Sequence, residues 1–290
     1  MSASLVGSEM CIRDSFKTKL ALMSIPAAAG FIIFYVVPFF RSVGYSFVGR
    51  MVDKKFVGFQ NYIELFQNEY FRMALTNTVI FSVVGVTLIL IISLALSAGL
   101  VKLSSTFSFI KSFFVMPYVL PSASIIFFWQ LFFDTERYAA LEKIDGLGGF
   151  FEVLPLYVIF LWKNIGINII LITSAMVKVQ QEVYEAAVLD GAHGVKLFTK
   201  ITMPLISPTL YFVGVLSFVN SLKIFKESYL FYNSSYPPNT AYMIQNFMNN
   251  HFQKLNYQTL STAVVIFTLV MAVIIFLLYK LENKMSEGTY

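Results

Sequence analysis

Lys163, Asn164 and Asn168 interrupt an otherwise apolar run, Leu154–Val177. The two asparagines are four residues apart and share one face of a helix. A charge near the middle of such a run costs at least ~2.5–3.5 kcal/mol unless water or a partner meets it. A second set, Ser217, Asn220 and Lys223, recurs every three residues at the end of Leu205–Leu222. Amide and hydroxyl groups so arranged suit a hydroxylated solute in a wet cavity, and the rings of Trp162, Phe218 and Tyr229 would stack on the C–H faces of a sugar. The lysines would also suit an anionic solute. Hydrogen bonding between helices accounts for the asparagines too, and snorkelling accounts for Lys163 if its run sits deeper. Trp162, Lys163, Asn164, Asn168, Ser217, Asn220 and Lys223 are the candidates for a solute path.

Other chemistries lack their residues. His193 and His251 have no second imidazole, thiol or carboxylate at ligand spacing, so no metal site is expected. Cys11 is the single cysteine, which leaves no disulfide to form within the chain. There is no GxSxG, HExxH or GxxxxGK[ST], so neither nucleophilic or zinc proteolysis nor nucleotide binding is expected of this chain, and no residue is assigned a catalytic role.

The elements that position these groups follow from composition. Of 290 residues 57% are hydrophobic and 13% charged, with a mean hydropathy of +0.71. A soluble domain carries about 25% charged residues, so an all-α integral membrane protein is expected. The 31 Phe and 16 Tyr suit membrane interfaces. The formal charge of +5 contains no block of like charges, which argues against nucleic-acid binding. Residues 1–15, MSASLVGSEMCIRDS, resemble translated sequencing-adapter read-through and are set apart as a disordered prefix. Residues 16–290 then form a single transmembrane domain.

About 20 apolar residues cross a bilayer as helix. Six segments meet or approach that length: Leu20–Phe40, Val79–Leu100, Ser112–Phe133, Leu154–Val177, Leu205–Leu222 and Thr259–Tyr279. None contains Asp or Glu, which disfavours an ion-coupled secondary transporter or channel, the main alternative function. Pro26, Pro38, Pro117 and Pro121 predict kinks. The small residues of 27–30 and 93–99 predict close helix approach. The segment 223–258, rich in Tyr, Asn and Pro, reads as a surface loop. Six spans put both termini on one side. Ten of the 21 Lys and Arg fall on that side and eleven, counting Lys163, on the other, so charge does not set the orientation.

Between the fourth and fifth spans lies the polar loop 178–204. Its first part, QEVYEAAVLD, predicts a short amphipathic helix with Val183, Tyr184, Ala187 and Val188 on one face. Gly191 ends it through a positive φ. Val195, Phe198 and Ile201 form a second apolar stripe opposed by Lys196 and Lys200, and Pro204 and Pro208 flank the fifth span.

Glu185-Ala186-Ala187, Asp190-Gly191-Ala192, Phe198, Ile201 and Pro204 resemble the cytoplasmic signature of the permease subunits of binding-protein-dependent ABC importers. Met203 and Gln180 depart from that pattern. Phe56-Val57-Gly58-Phe59-Gln60-Asn61-Tyr62, followed by Asn77-Thr78 and later by Trp162 and Gly166, resembles the sugar-importing branch, and its maltose-type first subunit in particular. The resemblance implies the type I importer permease fold, with six transmembrane helices. It also implies a coupling helix within 178–204 that docks on a separate ATPase, with Glu185 pairing a basic group and the alanines permitting close approach. ATP and Mg would then belong to two partner ATPase subunits, and this chain would bind no cofactor. A second permease subunit forming a heterodimer, an extracytoplasmic solute-binding protein and membrane lipid complete the implied partners. The loop would be cytoplasmic, with both termini, in the cell membrane of a prokaryote.

Overall fold

The computed structural model describes residues 23–49, 55–101, 113–133 and 148–286. The prefix with Cys11, the start of the first span and most of the loops 101–111 and 134–153 lie outside the described residues. The chain divides into two units, Met1–Leu65 with Tyr257–Val265 and Phe66–Asn256 with Ile266–Tyr290.

In the first unit, α1 (Met23–Ser46) is a helix with a wide π turn at Ile32–Val36. Pro38 explains the turn. It has no N–H, and in a regular helix its ring would meet the carbonyl four residues back. The Val37 N–H instead reaches back to the Ile32 carbonyl. Ala27, Ala28 and Ala29 are exposed and a Cβ on Gly30 would meet open space, so the close approach expected of 27–30 is absent among the described residues. After α1 the chain makes an antiparallel bridge, Val48 to Phe56, and enters α2 (Gln60–Gln67). The Asn61 amide donates to the Ser46 and Val48 carbonyls at 2.8 and 2.9 Å, and Ser46 Oγ meets the Tyr62 hydroxyl at 2.7 Å. The ring of Phe47 packs among Phe56, Phe59 and Tyr62. The FVGFQNY stretch thus locks a turn, with Gly58 at φ +58°.

The second unit is built on α3 (Glu69–Leu100), which is capped by the Asn68 side chain accepting from the Phe71 N–H at 3.2 Å. Next come α4 (Phe113–Val119) and α5 (Ser122–Phe133). The stretch expected to be the third span is broken here: the two helices are bent by 100° at Leu120–Pro121. Pro121 does more than kink. Its carbonyl opens α5 by accepting from Ser124 and Ile125. α6 (Gly148–Val177) packs tightly against α4, where a Cβ on Gly166 would lie 1.7 Å from the Phe114 carbonyl oxygen. Only glycine admits the α4 backbone there.

Phe81 and Ile89 of α3 pack with Leu156 and Phe160 of α6. Gly85 makes room for the Phe160 ring, 3.2 Å from where its Cβ would stand. Ser93 and Ser97 are buried and Ser97 Oγ donates to the Ile169 carbonyl, the close approach expected of 93–99. Gly99, by contrast, faces open space.

After α7 (Gln181–Leu189) and α8 (residues 194–205) come α9 (Ser207–Leu222) and α10 (Phe225–Tyr232). The chain ends with α11 (Ile244–Gln253) and α12 (Tyr257–Ser286). Phe267, Met271, Ile274 and Ile275 of α12 cover Val86, Phe218 and Leu222. Among the described residues, five helices are long and apolar enough to cross a membrane, six if α4 and α5 count as one span.

The reading of 223–258 as a surface loop is also corrected. Ala241, Met243, Ile244 and Phe247 are almost wholly buried, and Phe247 packs edge-on against Phe71 at 5.5 Å. The polar residues that suggested a loop satisfy its backbone. Asn77 donates to the Asn239 and Tyr242 carbonyls, while Thr78 Oγ1 accepts from the Ile244 N–H at 2.8 Å and so caps α11.

A polar cavity and an exposed helix–glycine–helix loop

α9 and α10 are nearly continuous, parted by a tight turn at Lys223 and Ile224. Together they form a candidate span, Ser207–Tyr232, that contains Glu227. The expectation of no acid within the spans is therefore overturned. Glu227 is 6% exposed, and its Oε1 lies 2.6 Å from Lys163 Nζ. Ser122, the first residue of α5, completes the cluster: its Oγ accepts from Lys163 at 2.9 Å and donates to Glu227 at 3.3 Å. The lysine left alone in an apolar run thus has a buried partner. Removing one member of such a pair is far costlier than the pair is stabilising.

The Lys163–Glu227 pair forms one wall of a cavity of about 280 Å³. Lys163 and Asn164 of α6, Asn220 of α9, Lys223 and Ile224 of the turn, and Tyr118 of α4 also line it. Asn220 donates to Asn164 Oδ1 at 2.9 Å, and Asn164 donates to the Phe160 carbonyl at 2.8 Å. Asn168 bonds Ser217 Oγ at 2.8 Å, both fully buried between α6 and α9. Four of the seven path candidates, Lys163, Asn164, Asn220 and Lys223, therefore share the cavity wall. Asn168 and Ser217 join helices. Trp162 stands outside the lining, edge-on to Trp129 at 6.1 Å, and Phe218 lies in the α12 contact. Tyr118 and Glu227 were not anticipated. Glu227 follows Lys223 by one helical turn, which was a usable signal had the helix been carried past Leu222.

The loop 178–204 is built differently. Ala192 N–H bonds the Ala187 carbonyl at 2.9 Å and Gly191 N–H the Val188 carbonyl at 3.0 Å, with Gly191 at φ +80°. This is a Schellman stop, and it fixes the chain direction after α7 by backbone alone. Ala187 and Ala192 occupy the two positions that such a stop brings together, and both are buried. Gly194, at φ +54°, adds a second reversal before α8. Another π turn, Phe198–Thr202, precedes Pro204, and the Met203 N–H reaches the Phe198 carbonyl.

Phe198 packs beneath α6 and α9, and Ile201 is half-buried. Glu185 is exposed, accepting only from Gln181 at 2.9 Å among the described residues, and Ala186 and Asp190 are exposed as well. Leu189 and Val195 are 89% and 78% exposed. An open cleft of about 390 Å³ adjoins α7, lined by Lys178, Gln180, Val183 and Leu205 among others.

Comparison with known proteins supplies the context. Residues 91–285 match the family model described as "Binding-protein-dependent transport system inner membrane component". The arabinooligosaccharides transport system permease protein AraP of Bacillus subtilis is 26% identical over 286 residues, covering 92% of this chain and 90% of that protein. The sn-glycerol-3-phosphate transport system permease protein UgpA of Yersinia pestis is 29% identical over 214 residues, 68% of this chain and 71% of that one. Among solved structures, a bacterial ABC transporter involved in the import of the acidic polysaccharide alginate superposes with a TM-score of 0.73 at 20% identity, covering 95% of this chain and 99% of that one. The chain belongs to the binding-protein-dependent transport system inner membrane components, as a multi-pass permease subunit that serves transport rather than catalysis.

Proposed function

We propose that this subunit carries a sugar or sugar derivative through the cavity at Lys163, Asn164, Asn220 and Lys223, by alternating access driven by partner ATPases. The observation that carries this reading is the cavity itself: a concave, polar space walled by α4, α6, α9 and α10, in a chain of apolar helices. Hydroxyl groups would find amide partners in Asn220 and Asn164. The solutes in the relatives' names, arabinooligosaccharides and sn-glycerol-3-phosphate, are polyhydroxylated and support the same class.

The loop at Glu185–Pro204 serves in this reading as the coupling element. Its exposed Leu189, Val195 and Glu185 offer apolar contact and one charge to a cytoplasmic ATPase. The Schellman stop and the second glycine make it stiff enough to transmit a rigid-body push to α6 and α9. Two such ATPases would bind ATP and Mg, and a second, related permease would complete a heterodimer. The loop and both termini would be cytoplasmic.

Reconstitution of the assembled importer in proteoliposomes tests the reading. Glu185→Lys should reduce sugar uptake per ATP hydrolysed several-fold, with the complex still inserted. Asn220→Ala should lower uptake without altering basal hydrolysis. Full coupled uptake in both variants would overturn the assignment.

A further inference from the structure

The charges lining the cavity do not cancel. Two of its lining residues, Lys163 and Lys223, are cationic, and one, Glu227, is anionic. Glu227 is committed to Lys163 at 2.6 Å and to Ser122 at 3.3 Å. Lys223 has no carboxylate within salt-bridge distance among the described residues. It sits in the turn between α9 and α10, where helix packing does not bury it, and remains exposed. The wall thus presents one uncompensated positive charge beside amide donors from Asn220 and Asn164. A partly enclosed, low-dielectric wall strengthens the field of such a charge.

We propose that Lys223 makes this cavity selective for hydroxylated solutes that carry one anionic group, a carboxylate or a phosphate. The inference rests on the cavity being the solute path. Lys163 is excluded from that role by its own partner. Its ammonium holds α5, α6 and α10 together through Ser122 and Glu227, whereas Lys223 is free to meet the solute. The amides then serve the hydroxyls, and discrimination against neutral sugars falls to a single side chain.

The lone cysteine makes a direct test practical. A full-length chain with Cys11→Ser and Tyr118→Cys carries one thiol on the cavity wall. Its labelling in membranes by a sulfonate-bearing and by an ammonium-bearing thiosulfonate is compared with labelling of a small free thiol. The anionic reagent should be favoured at least threefold. Lys223→Gln should remove that preference and Lys223→Arg should keep it. Glucuronate and glycerol 3-phosphate, as separate arms for carboxylate and phosphate, should slow labelling at several-fold lower concentration than glucose, and Lys223→Gln should abolish the difference. If either reporter labels normally but shows no charge preference, or glucose protects as well as both anions, the selectivity inference fails and the cavity reading stands. Failure of both reagents to reach the thiol in a protein with unchanged thermal transition would sink the cavity reading itself. Asn220→Cys serves as a second reporter should the first variant fold poorly.

Discussion

The cavity wall and the helix–glycine–helix loop solve opposite problems. At the wall, polar side chains are held by other side chains: Lys163 by Glu227 and Ser122, Asn220 by Asn164, Asn168 by Ser217. At the loop, shape is fixed by backbone bonds around Gly191, and side chains such as Glu185, Leu189 and Val195 point to solvent. Among the described residues, the charged and amide groups of the first region find partners within the chain, Lys223 excepted. The second is rigid yet unfinished, a form suited to completion by another protein. Stability and transport should therefore respond differently to damage in the two places.

The largest effect is expected from Glu227→Ala, which strands the Lys163 ammonium in a largely buried site. Loss of one partner from a buried pair costs about 3–5 kcal/mol, read as a large fall in Tm of the purified subunit. The double change Glu227→Leu with Lys163→Met should recover much of that loss. An unchanged Tm in the single variant would mean that the wall is not held from within. Gly166→Ala comes next, since its methyl group has no room beside the Phe114 carbonyl. Overpacking of this kind costs about 1–3 kcal/mol, whereas Gly85→Ala, which meets side-chain ring atoms of Phe160 and Tyr157 rather than backbone, should be milder.

In the loop the balance reverses. Gly191→Val forces a branched residue to φ +80°, a local cost of about 1–2 kcal/mol. Uptake per ATP should drop several-fold while the Tm of the helical core barely moves. A Tm loss matching that of Glu227→Ala would erase the distinction between the regions. The smallest effect concerns pH. His251 on α11 is held below the usual imidazole range by burial and then by the nearby Lys254 charge. The unfolded chain takes up a proton below about pH 6.5 that the folded chain resists. Stability should thus decline as pH falls through that value, and His251→Phe should flatten the slope in acid thermal scans.

Much of the wall was legible because charge and amide stand out against an apolar run: Lys163 has no local partner, and Asn164 and Asn168 repeat at helical spacing. What escaped depends on contacts between distant residues. Glu227 lies beyond a break that contains neither Gly nor Pro, in a stretch of mixed polarity that hydropathy alone assigns to a loop. Burial of α11 hinges on Asn77 and Thr78, more than 160 positions away. Pro121 announced a kink, but neither its size of 100° nor the approach of α4 to Gly166 of another helix is written locally. The loop was the most legible region, since Gly191 and its neighbours act through backbone rules that operate within a few residues.

The π turns before Pro38 and Pro204 have a consequence for how relatives should be aligned. Each wide turn accommodates one residue more than a regular helix, an offset of about 100° of rotation. Pro204 thereby sets the azimuth at which everything from Val195 back to Glu185 is presented. Homologues with an ordinary residue in its place should be one position shorter between the equivalents of Gly194 and Ile206. A gap of one in that interval, paired with loss of the proline, would mark conserved presentation of the loop rather than its decay.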